Sequence, residues 1–188
     1  MRVSYRYIRP CPVLYARTVG AYAESAVEAW RTMGLWLDAH NARHLIKRGL
    51  GIFHDDPTVT GAEALRYDAC VGFVPGLALD AEPSVRIGRQ TLAGGAYAVH
   101  VHAGTYEATG KLFSTLRRDA VNKRGLSVDY GRPFIAIYLN DPMFTREMHR
   151  RTELCVPVMP MRMPASSNDE CAPEPSNDDI GVQQRCTA

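Results

Sequence analysis

Long apolar runs are missing from this 188-residue sequence. The longest, Ala69 to Leu79, is too short to cross a bilayer and is broken by Pro75. The opening Met1-Arg2-Val3-Ser4-Tyr5-Arg6 has no apolar stretch of the signal-peptide kind. Cysteine is sparse and irregular: 5 residues, an odd number, with no CxxC pair. That pattern fits neither a secreted disulfide framework nor structural zinc, and the expected compartment is a reducing cytoplasm. Charge of one sign is also missing. The 22 Lys and Arg nearly balance the 20 Asp and Glu, and a formal net charge of +2 gives no argument for nucleic acid. Arg117-Arg118 with Lys123-Arg124 is the one local basic cluster and reads as a solvated helix end.

What the sequence does have is an echo of itself. Val19-Gly20-Ala21-Tyr22 matches Ala103-Gly104-Thr105-Tyr106, and Ile52-Phe53-His54-Asp55-Asp56-Pro57 matches Ile137-Tyr138-Leu139-Asn140-Asp141-Pro142. Asp68-Ala69-Cys70-Val71 matches Glu153-Leu154-Cys155-Val156. Each pair is roughly 85 residues apart, too long for a solenoid repeat and right for half a domain. The expectation is a pseudo-twofold body with repeats over about 1–80 and 81–163 and a ligand pocket at the seam.

Each half opens with two extended segments, Val3–Ile8 and Val13–Arg17 in the first, Val85–Leu92 and Tyr97–His102 in the second. Amphipathic helices follow over Tyr22–His40 and Tyr106–Ala120, preceded by Gly20 and Gly104, with Thr105 as an N-cap. Strand pairs close each half: Gly51–His54 with Tyr67–Phe73, and Ile135–Leu139 with Thr152–Val158. The fold class is therefore α+β, tandem strand–helix–strand–strand modules. Helices are expected on one face of each sheet, leaving the other face free for a cleft. Residues 164–188 are polar, acidic and proline-bearing, and are expected to be a disordered tail.

Laid out in this order, the chain resembles the GyrI-like small-molecule-binding family. That family includes DNA gyrase inhibitory proteins and the effector-binding domains of AraC-type and MerR-type regulators. The match rests on His102-Ala103-Gly104-Thr105-Tyr106-Glu107, Gly51-Ile52-Phe53-His54-Asp55-Asp56-Pro57, Leu65-Arg66-Tyr67-Asp68-Ala69-Cys70-Val71 and Pro133-Phe134-Ile135-Ala136-Ile137-Tyr138-Leu139-Asn140-Asp141-Pro142. The resemblance implies two tandem modules with a ligand groove between them. It also implies bulky, aromatic and sometimes cationic ligands, and in some members hydrolysis of cyclopropane-bearing DNA alkylators or protection of gyrase. One departure stands out. Where the family carries a glutamate in a Phe-Glu-(Val/Ile)-Tyr strand, this chain has Ala136 within Ile135-Ala136-Ile137-Tyr138.

Strand alternation places Phe134, Ala136 and Tyr138 on one face and Ile135, Ile137 and Leu139 on the other. The aliphatic set is expected to pack under the helices. The aromatic set, with Phe53 and small Gly51 from the first half, is expected to floor a groove for a flat hydrophobic ligand, bordered by Trp30. Without a buried carboxylate, a neutral or anionic guest is favoured over a cation. Asp68 and Glu153 are the alternative sources of charge, and Tyr138 and Glu153 the candidate groups for ring-opening hydrolysis. Cys70 and Cys155 read as core residues, and core packing is also the favoured reading for both Trp36 and Trp30, with Trp30 the one that could border the groove. His100 and His102 share a strand face but find no third ligand, so no metal and no cofactor is expected. His54-Asp55-Asp56 reads as a turn before Pro57.

The leading expectation is a stand-alone protein that sequesters or senses a bulky aromatic, drug- or toxin-like compound. A hydrolase of cyclopropane natural products is the second reading, and a partner of DNA gyrase or of a regulator the third. No helix-turn-helix can be placed, so direct nucleic-acid binding is not expected, and without a long apolar run neither is membrane association.

Overall fold

The computed structural model describes residues 1–73, 87–121, 125–142 and 144–161. The expected tail, the end of the first half and part of the predicted Val85 strand lie outside them. Among the described residues nine strands form in chain order: β1 (Ser4–Ile8), β2 (Cys11–Val19), β3 (Gly49–Phe53), β4 (Arg66–Gly72), β5 (Ile87–Leu92), β6 (Gly95–Ala103), β7 (Leu126–Val128), β8 (Phe134–Tyr138) and β9 (Arg151–Pro160). The helices are α1 (Tyr22–Ala39) and α2 (Thr109–Val121). The second helical segment thus divides, its start at Tyr106–Ala108 being a single 3-10 turn. Thr105 stands at the N-cap of that turn but makes no side-chain capping bond, contrary to expectation.

The strands form one antiparallel sheet in the order β1-β6-β9-β8-β3-β4-β2-β5, with β7 pairing to the far end of β9. The two outermost strands are exchanged. β1 pairs with β6, and β5 pairs with β2, so each half's opening strand lies beside the other half. In the middle, β3 pairs with β8 in a register that sets Gly51 opposite Ala136 and Phe53 opposite Phe134. Gly51 therefore faces its own counterpart in the sequence echo.

Both helices turn on glycine. Gly20 and Gly104 sit at φ of +142° and +133°, a region that side-chain-bearing residues avoid. Each N–H donates to a carbonyl just ahead of the last strand of its half, Gly20 to Leu65 and Gly104 to Arg150, both at 2.9 Å. The helices then lie on the same sheet face. α1 buries Ala29, Met33, Trp36 and Leu37 against Leu14, Ala16, Tyr67, Ala69 and Val71. α2 buries Phe113, Leu116 and Ala120 against Ala98, Ala136, Leu154 and Val156.

Here one expectation is corrected. The aliphatic residues of β8 do not pack under the helices. Ile135, with Ile137 beside it, belongs to a third apolar cluster on the opposite face, together with Val13, Ile52, Cys70, Leu92, Tyr97, Val99 and Cys155. These residues come from both wings of the sheet, so that face is buried by the sheet curving over itself. The cleft lies on the helix face, where the aromatic residues point.

Candidate functional site: an aromatic groove between the helices

A groove of about 1210 Å³ runs over the β3–β8 pair, walled by α1 on one side and α2 on the other. α1 contributes Tyr22, Ala26, Trp30 and Met33, spaced at helical intervals along one stripe. α2 contributes Gly110, Phe113, Ser114 and Arg117. The floor is Phe53, Phe134 and Tyr138 from the two central strands. Tyr106, from the turn before α2, closes one end.

The rings meet edge to face, the arrangement their quadrupoles favour. Phe53 is the hub, with ring centroids 5.0 Å from Tyr22, 5.1 Å from Tyr67 and 5.2 Å from Phe113. Tyr138 stands between Trp30 at 5.5 Å and Tyr106 at 5.2 Å. Two glycines in β3 make this possible. A Cβ on Gly49 would fall 2.5 Å from the Trp30 ring, so the indole lies directly against the backbone. A Cβ on Gly51 would fall 2.4 Å from the Tyr67 hydroxyl and 2.9 Å from that of Tyr138. The two hydroxyls meet there, 3.1 Å apart, and Trp30 Nε1 donates to Tyr67 Oη at 2.9 Å. Burial pushes the Tyr138 phenol up to about 12, and the Tyr67 phenol well above its ordinary value. Both are therefore protonated at neutral pH.

Charged groups stand at the rim and are largely paired. Asp55 binds Arg66 at 2.7 Å, and Asp56 binds Arg117 of α2. The Asp55 carbonyl accepts from the Tyr22 hydroxyl at 2.7 Å, and Asp56 Oδ1 caps the Thr58 N–H at 2.9 Å. His54-Asp55-Asp56 is thus a braced turn, and among the described residues no cluster suited to a metal occurs.

Of the residues expected at the site, Trp30, Phe53, Phe134 and Tyr138 line the groove. Ala136 is fully buried beneath the rings, and the space left by Gly51 is taken by two hydroxyls rather than left for a guest. Asp68 and Glu153 do not reach the groove. Asp68 pairs in register with Ile52, and Glu153 with Ile137, which puts both on the opposite face. There Asp68 takes a forked bond from Arg17 at 2.7 and 2.8 Å, with His54 at 2.7 Å and Gln90 at 2.8 Å. Glu153 binds Arg6. Tyr22, Tyr67, Tyr106 and Phe113 were not singled out as site residues. Tyr22 and Tyr106 end the first pair of echoed segments, and that shared position was the available signal.

Comparison with known proteins agrees with this architecture. The GyrI-like family, described as a GyrI-like small molecule binding domain, matches residues 1–159. The chain is 29% identical over 130 residues to "SPbeta prophage-derived putative transcriptional regulator YosT" of Bacillus subtilis, covering 66% of this chain and 84% of that protein. Among solved structures, EcmrR in its DNA complex superposes with a TM-score of 0.66 at 14% identity, covering 85% of this chain. The chain spans 58% of the length of EcmrR. A hydrolase from Listeria innocua gives 0.59 at 15% identity, over 84% of this chain and 92% of that one. SAV2435 bound to tetraphenylphosphonium gives 0.55 at 14% identity, over 85% and 94%. The chain belongs to the GyrI-like small molecule binding family.

Proposed function

We propose, from membership of this family, that the protein sequesters or senses a bulky, flat aromatic compound, and that the ligand lies in the groove between α1 and α2. The observation that carries the reading is the ring-lined floor of Phe53, Phe134 and Tyr138 under Trp30 and Phe113. Such a surface favours a ligand that brings its own π-face. SAV2435 holds a cation, tetraphenylphosphonium. Among the described residues Phe53, Phe134 and Tyr138 of the floor bring no carboxylate, Asp55 and Asp56 are paired with arginines, and Glu107 and Asp141 also line the groove, together with basic Arg43, Lys47 and Arg48. That supports a neutral or anionic guest. Hydrolysis is the weaker reading, because Tyr138 is a weak acid and Glu153 lies on the far side of the sheet. A role beside a regulator or gyrase would be carried by the liganded groove. The unpaired thiols Cys11, Cys70 and Cys155 suit a reducing compartment.

Gly110 offers a clean test. It faces the groove from α2, and a Cβ added there meets nothing within 4 Å. Gly110→Trp should plug the groove while keeping the fold. A panel of neutral, anionic and cationic polycyclic aromatics is screened for thermal stabilisation, with mass spectrometry of the recovered compounds. Stabilisation of the wild type by neutral or anionic compounds, abolished in Gly110→Trp, is the expected result. Stabilisation that survives the plug would place binding elsewhere, and catalytic turnover of a compound would make the protein an enzyme.

A further inference from the structure

Where Trp30, Tyr67 and Tyr138 meet, three hydrogen-bond donors share two oxygens. Trp30 brings one N–H and no acceptor, and Tyr67 and Tyr138 bring one O–H and one oxygen each. Two bonds join the three groups, Trp30 to Tyr67 and hydroxyl to hydroxyl. If Tyr67 donates to Tyr138, the Tyr138 proton is left over. If Tyr138 donates to Tyr67, the proton left over is that of Tyr67. Either way one O–H proton has no acceptor among the described residues. Tyr67 is fully buried and absent from the groove lining, whereas Tyr138 lines it. Tyr138 is the member of the pair that lines the groove, so when Tyr67 donates to it the proton left over is that of the groove residue.

Neither phenol resolves the surplus by ionising, because burial raises both above their ordinary range. Ala136, opposite Gly51 in the register, brings no acceptor to the place where the hydroxyls meet. A ligand seated over the pair must offer that proton an acceptor or leave a buried donor unmet.

We infer that the Trp30–Tyr67–Tyr138 cluster selects aromatic ligands that carry an oxygen acceptor, a ring carbonyl or an anionic oxygen, received by the Tyr138 hydroxyl. This rests on reading the groove as a binding site and adds to it the chemistry of one edge of the guest. Tyr138 is then the specificity-determining residue, with Trp30 and Tyr67 positioning its proton.

The test uses two probes of one shape, fluorene and fluorenone, which differ by a single carbonyl. Each is titrated into the intact protein with tryptophan fluorescence as the readout. A neutral hydrogen bond predicts fluorenone binding roughly threefold to tenfold tighter than fluorene. Tyr138→Phe should erase that ratio, so that the variant binds the two probes equally. Tyr67→Phe should lower the ratio without erasing it, because Tyr138 keeps its hydroxyl but loses the partner that positions its proton. Equal binding of both probes to the wild type, or a ratio that persists in Tyr138→Phe, would overturn the inference while leaving the groove a binding site. Failure of both probes to bind would overturn the binding reading along with it.

Discussion

Gly51 acts through what it leaves out. Its missing side chain is the space where the Tyr67 and Tyr138 hydroxyls meet. Tyr67 is completely buried, so its ring has little room to retreat from a new methyl group. Gly51→Ala is expected to destabilise the protein by about 1–3 kcal/mol, the usual range for overpacking, as read from urea denaturation. It should also part the hydroxyl pair and lower the preference for fluorenone. A variant as stable as the wild type would mean that the hydroxyls are not held there. The sequence made Gly51 visible as a small residue among large ones, but not the reason for it. The side chains that fill its space come from other strands, Tyr67 from β4 and Tyr138 from β8, and only the register brings them together. Phe53, Phe134, Tyr138 and Trp30 were legible because alternation and helical spacing fix which way they point.

Between elements, the telling feature is the exchange of outer strands. The two opening segments were readable as strands, but their exchange was not, since nothing local to β1 or β5 says which half it joins. Asp68 is one place where the exchange is fastened. It gathers Arg17 of β2, Gln90 of β5 and His54 just past β3. Burial alone would raise its pKa, but the bonds from Arg17, His54 and Gln90 outweigh that and hold it at about 2. An aspartate in the unfolded chain titrates near ~3.9. A pKa lowered by folding adds stability above the unfolded value and loses it as the pH falls from about 4 toward 2. The contribution is about 2–3 kcal/mol at neutral pH. Asp68→Asn should therefore be less stable than the wild type by about that amount at pH 7, with the gap closing near pH 2. Denaturation curves at the two pH values check this, and a gap of the same size at both would assign the loss to something other than the charge.

At the scale of the molecule, a single curved sheet does two jobs. Its aliphatic face closes on itself around Ile52, Ile135, Cys70 and Cys155, while its aromatic face carries two helices and the groove they leave. The order of strands and helices and most of their limits were legible from periodicity and from the Gly, Asp and Pro turns. Which face the helices would cover was not. Alternation separates two sets of side chains in β8, but burial of both faces removes the polar-outward signal that would tell them apart. The groove is the claim on which the functional account stands. It is tested most directly by labelling both tryptophans with 5-fluorotryptophan and titrating fluorenone while watching the two fluorine resonances. Trp30 lines the groove, whereas Trp36 is buried in the core beneath α1, its ring 4.4 Å from that of His40. The account predicts that the Trp30 signal shifts to saturation while the Trp36 signal stays in place. A saturable shift of Trp36 with Trp30 unmoved, or no shift of either, would contradict it.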